Sequence, residues 1–243
     1  MKSWIVGFWS GVFSLLSWIS PFALVAALLG RRVTAGFVDC WVAGNSALAV
    51  AALYLMSSQA TEANAGSYLI FGYAWLRIFE IVVYQVNVLL FGEYRARRRG
   101  QEYAVHGYRR IVILLLHNYF EIVCWFGTVY TFYFLSGDLI TGPGQPDPTF
   151  FSVFRDSLLL MVSFEADRYS PANDLGLVLF SIHASVGIFM TVLVFARFLA
   201  LLPAPSSMDP LEAPSRNPDQ EKPEAKAPRP KPRKIGGKRN PRG

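Results

Sequence analysis

The apolar runs in this chain fix its surroundings before any motif is read. A helix rises about 1.5 Å per residue and the hydrocarbon core of a bilayer is about 30 Å thick, so roughly 20 successive apolar residues cross it. Five runs reach that length, at residues 4–29, 33–56, 67–91, 111–135 and 175–202. Backbone N–H and C=O groups inside lipid find no water, so each run has to bond within itself as a helix. The chain is 53% hydrophobic and only 16% charged, which sets it apart from ordinary soluble domains. The expected fold is an all-α membrane protein with about five transmembrane helices. The first run is far longer than a signal-peptide core of about 7–15 residues. It reads as a retained span, weakened at Ser20-Pro21, where proline removes a backbone donor.

A sixth apolar stretch, residues 149–162, is too short to cross and lies between Pro148 and Pro171. It reads as a re-entrant half-helix. Basic residues set the orientation, because short loops rich in Lys and Arg stay on the cytoplasmic side. Residues 93–110 carry Arg95, Arg97, Arg98, Arg99, Arg109 and Arg110 against Glu93 and Glu102, whereas residues 57–66 carry only Glu62. The first segment is expected inside and the second outside. A multi-pass protein of the cell (plasma or inner) membrane follows, with a cytoplasmic C-terminus and, for five crossings, an external N-terminus.

Four regions result: a three-span region (1–92), a basic cytoplasmic loop (93–110), a two-span unit with the half-helix (111–203) and a tail (204–243). The tail segment from Pro203 onward holds ten bases, five acids and ten prolines. It has too little apolar surface to fold and is expected to be disordered and partly polyproline-like. Residues 226–242 carry eight bases and no acid, and each base gains about 1 kcal/mol near an anionic membrane surface. Anionic lipid is therefore the expected partner of the basic loop and the tail. Nucleic acid is not expected, because no aromatic residues are interleaved to stack on bases.

No GxSxG, HExxH, phosphate-cradling glycine loop or CxxC pair occurs. No enzyme activity, catalytic residue, cofactor or metal is expected. Cys40 and Cys124 lie inside apolar runs and read as small hydrophobes. Gly7 and Gly11 give a GxxxG spacing that permits close helix approach. Ionisable residues inside spans are costly, so they are candidates for function. Arg77 and Glu80 stand three apart on one helix face, and His117 and Glu121 stand four apart on the next span. These four form a candidate intramembrane polar cluster. The plainer reading is a satisfied interhelical ion pair for the first two and a buried hydrogen-bonded pair for the others. His183 reads as a packing or pore-facing polar residue.

From residue 111 the order is span, outer loop, half-helix, polar loop, span. Gly187-Ile-Phe-Met-Thr-Val-Leu-Val-Phe-Ala-Arg-Phe-Leu-Ala-Leu-Leu-Pro203 resembles the inner helix of the two-span potassium-channel pore family. Asn118-Tyr-Phe-Glu-Ile-Val-Cys-Trp-Phe126 is similar to its outer helix, and Phe151-Ser-Val-Phe-Arg-Asp-Ser-Leu158 to its pore helix. The resemblance implies a potassium-channel-like cation channel subunit that assembles as a homotetramer and conducts monovalent cations. It also implies an ion-pathway loop at Ser163, Phe164, Glu165, Ala166 and Asp167. The family's Thr-Val-Gly-Tyr-Gly-Asp filter is replaced here by Met161-Val-Ser-Phe-Glu-Ala-Asp167, with Phe164 and Ala166 where the glycines stand. Glycines let successive carbonyls face the ion, so a potassium-selective carbonyl filter is not expected. Four copies of Glu165 and Asp167 instead form carboxylate rings that attract cations, an effect blunted by the neighbouring Arg168. The alternative is a non-conducting scaffold or regulatory subunit of the same fold.

Overall fold

The structure is a computed structural model that describes residues 4–30, 34–59, 63–100, 108–142, 148–163 and 168–201. The tail and Phe164, Glu165, Ala166 and Asp167 of the ion-pathway loop lie outside the described residues. The described chain is predominantly helical: α1 (Trp4–Leu16), a 3-10 turn (Ser17–Ile19), α2 (Pro21–Leu28), α3 (Ala35–Gln59), α4 (Ala65–Arg98) and α5 (Tyr108–Leu135). Strand β1 (Leu139–Thr141), α6 (Phe150–Ser163), strand β2 (Tyr169–Pro171) and α7 (Asp174–Leu201) complete it.

Among the described residues four helices are long and apolar enough to cross a membrane, over Ala35–Ser58, Ala65–Val88, Arg109–Leu135 and Asp174–Ala196, and a fifth crossing results if the bent pair α1–α2 is one span. The first apolar run is not one straight helix. It breaks at Ser20-Pro21 and the two pieces are bent by 69°. The cause is local: Ser20 takes an extended backbone (φ −80°, ψ 132°), its hydroxyl accepts from the Ala23 N–H at 3.1 Å, and Pro21 takes the first helical position. Serine cap followed by proline starts a new helix rather than kinking an old one.

Side-chain contacts fix the helix directions. α3 and α5 run parallel: Asp39 pairs with Arg110 near their first turns, and Leu53 meets Gly127 farther along. α4 runs antiparallel to both, with Phe71 stacked on Phe132 at 4.2 Å and Tyr73 donating to Asn45 at 2.6 Å. α1 lies antiparallel to the C-terminal half of α4. Gly7 faces Tyr94, Phe13 packs on Phe91 and accepts from Asn87, and Ser20 reaches Glu80. The start of α1 is therefore at the same end of the bundle as the end of α4 and the start of α5.

The core gathers on α5, where Ile122, Val123, Cys124, Trp125, Phe126 and Val129 are at most 1% exposed. α5 ends where Gly137 takes a positive φ of 84° and the Asp138 N–H returns to the Tyr133 carbonyl, a left-handed helix stop that favours glycine. β1 and β2 then pair antiparallel, Leu139 opposite Pro171 and Thr141 opposite Tyr169, and tie together the two flanks of α6.

Candidate functional site

Three of the four residues expected to cluster do so. Arg77 and Glu121 each stand near the middle of their spans, 3% and 0% exposed. Arg77 reaches Glu121 with two near-parallel bonds, Nε to Oε1 and Nη2 to Oε2, both 2.9 Å. Its Nη1 pairs with Glu80 Oε2 one helical turn away. The planar guanidinium suits this fork-to-fork geometry, which a lysine cannot reproduce.

One guanidinium offsets one carboxylate, so other groups have to stabilise the second. Glu80 Oε1 accepts from the Phe22 N–H at 2.8 Å and from the Ser20 hydroxyl, both at the N-terminus of α2, where unpaired amides and the helix dipole favour an anion. Glu121 Oε1 accepts from Trp125 Nε1 at 3.0 Å, and the Trp41 ring lies 5.8 Å from the Arg77 guanidinium carbon. The break at Ser20-Pro21 and the buried charges are thus one assembly.

His117 is not part of it. Its side chain is exposed and its Nδ1 lies 2.9 Å from the Ile113 carbonyl. The expected His117–Glu121 pair does not form: Glu121 is buried against Arg77 and Trp125, while the His117 ring lies exposed against its own helix backbone. His183 is wholly buried on the α5-facing stripe of α7. Its Nδ1 lies 2.7 Å from the Tyr130 hydroxyl and its ring stacks on Phe126 at 3.8 Å, which makes it a packing residue.

The second assembly is α5, α6 and α7. Down α6, Phe150 touches Tyr54 near the end of α3, Val153 faces Gly127, and the Ser157 hydroxyl donates to the Val123 carbonyl at 2.7 Å. α6 therefore runs antiparallel to α5 and ends near mid-span. There, a Cβ on Gly187 of α7 would come within 2.6 Å of the Met161 carbonyl oxygen, so only glycine permits this approach. Ser163 is the last residue of α6. On the far side of the loop, Arg168 is buried, with Nε 3.3 Å from Asp156 Oδ2. Asp156, 1% exposed, also pairs with the more exposed Arg155 at 2.9 Å. Asp156 thus ties the body of α6 to the residue that follows the loop, a link not anticipated from Phe151-Ser-Val-Phe-Arg-Asp-Ser-Leu158.

The signals for the missed partners differ. The Ser-Pro pair marked a helix start, and Trp125 stands one turn from Glu121 on the same face. Nothing local marked Trp41 or Arg168. No family model, curated protein or solved structure matches this chain.

Proposed function

We propose that this chain is a subunit of a potassium-channel-like cation channel, a homotetramer in which α5, α6 and α7 form the pore domain. Glu165 and Asp167 supply carboxylate rings at its outer mouth. The observation that carries the reading is α6, which runs back along α5 and stops against Gly187 halfway down α7. A half-helix entering to mid-depth between two crossing helices directs its carbonyl end into the membrane, the device by which a pore holds a cation. Arg168, the residue that follows the loop, is held by Asp156 of α6 and adjoins the β1–β2 pair.

α7 gives further support. It is the most apolar of the four long helices and the least covered, 28% buried within one chain. Its outward face carries Ile182, Ile188, Val192 and Phe195, with the Ser181, Ser185 and Thr191 hydroxyls among them. Neighbouring copies around an axis would cover the apolar part and leave hydroxyls for a water-filled path. In this arrangement the bent pair α1–α2 is a second re-entrant element. It enters beside Tyr94, reaches Glu80 and leads to α3, which starts beside Arg110. Four crossings then replace the five expected, and the N-terminal residues share the cytoplasmic side with the basic loop.

The test is cation flux from proteoliposomes loaded with potassium or sodium. Purified tetramer is expected to pass both ions, and Glu165→Gln with Asp167→Asn to slow the flux at least several-fold. An intact tetramer that passes neither ion would favour the non-conducting scaffold.

A further inference from the structure

Where α1 meets the last turns of α4, the helices leave a cavity of about 420 Å³ at the basic-loop end of the bundle. One wall is a face of α1 with Gly7, Ser10 and Gly11, and the opposite wall holds Arg95, Arg98 and Arg99. The small residues are what make room: nothing lies within 4 Å of a Cβ built on Gly11. Ser10 is 8% exposed, and its hydroxyl has no hydrogen-bond partner among the described residues.

Among the described residues, none of these three arginines is neutralised by a carboxylate. Arg97, on the other side of the helix, pairs with Glu93. Arg95 bonds the Asn87 side chain and carbonyl at 3.0 and 2.8 Å, which fixes its guanidinium in place. Among the described residues no carboxylate lies within ion-pair distance of Arg95, Arg98 or Arg99. Burial, and secondly the charge of Arg99, push the Arg95 guanidinium below its ordinary range, as expected where like charges share a partly dry site.

We propose that this cavity binds the phosphate headgroup of an anionic phospholipid. The arginines match a phosphodiester's oxygens and charge, and Ser10 offers a hydroxyl donor. The rest of α1 selects a lipid over a free phosphate. Trp4, Phe8 and Trp9 are 79%, 57% and 46% exposed beside the cavity, an aromatic girdle of the kind that sits at headgroup level. Acyl chains can run along that girdle while the phosphate enters the cavity. The site is separate from the pore domain and stands or falls apart from it.

Native mass spectrometry of the full chain in detergent, titrated with dioleoylphosphatidylglycerol or dioleoylphosphatidylcholine, tests the proposal, with thermal melts in inorganic phosphate as the second arm. Phosphatidylglycerol adducts are expected on the unaltered protein and not phosphatidylcholine adducts. Arg98→Gln with Arg99→Gln should weaken them about thirty-fold, from about 1 kcal/mol per base. Gly11→Leu, which keeps every arginine and fills the cavity, should weaken them comparably, while Gly72→Leu on α4 should not. Equal phosphatidylglycerol retention in the unaltered protein and a folded arginine double variant would overturn the site. Inorganic phosphate raising the melting midpoint as much as the lipid would overturn the lipid assignment.

Discussion

Two carboxylates share one guanidinium near the middle of two long apolar helices, and the shortfall in positive charge is met by the N-terminus of α2 on one side and an indole N–H on the other. Removing Arg77 leaves both carboxylates buried without a counter-ion. Arg77→Gln is expected to cost about 3–5 kcal/mol of stability in detergent unfolding, whereas Arg97→Gln, whose pair with Glu93 is exposed, should stay within about 1 kcal/mol. Arg77→Lys should recover only part of the loss, because an ammonium cannot fork to Glu121. A similar contrast applies to glycine. Gly187→Ala forces a Cβ against a backbone carbonyl and should destabilise the protein. Gly72→Ala, with open space around it, should gain up to about 1 kcal/mol from helix propensity. The i,i+3 spacing made the Arg77–Glu80 pair legible in the sequence. Glu121 was legible as a member of the same candidate cluster, but its paired partner was read as His117, since spacing along one helix says nothing about which guanidinium arrives from another.

Among elements, the short α6 and the bent pair α1–α2 are what distinguish this bundle from four long apolar helices alone. α6 was readable because a 14-residue apolar stretch between prolines is too short to cross. The α1–α2 pair was expected as one span because its two pieces together are as long and apolar as a crossing helix, and the break between them was legible only as a weak point at Ser20-Pro21. The 69° bend depends on the Ser20 cap and on Glu80, which lies 60 residues away in sequence. If the pair re-enters from the basic-loop side, a cysteine placed at Ser3, in a Cys40→Ala and Cys124→Ala background, should escape a membrane-impermeant maleimide in intact cells. It should react once the membrane is opened. Labelling in intact cells would restore the five-crossing topology. Asp156→Asn, which weakens the tie between α6 and Arg168, is expected to reduce cation flux without dissociating the oligomer, read by flux and size-exclusion chromatography together.

At the scale of the molecule, charge and hydropathy divide the labour. Arg95, Arg97, Arg98, Arg99, Arg109 and Arg110 gather at one end, around the end of α4 and the start of α5, the end expected on the cytoplasmic side. α7 leaves much of its apolar length uncovered within a single chain, a face for lipid or for the further copies proposed above. In the proposed assembly, copies of the chain enclose a cation path guarded by Glu165 and Asp167. Single-channel current from the purified protein in planar bilayers, under potassium and sodium gradients, tests it most directly. Unitary cation currents with little preference between the two ions are expected, reduced or abolished by Glu165→Gln with Asp167→Asn. Silence from intact tetramer, or currents unchanged by that pair of substitutions, would contradict it.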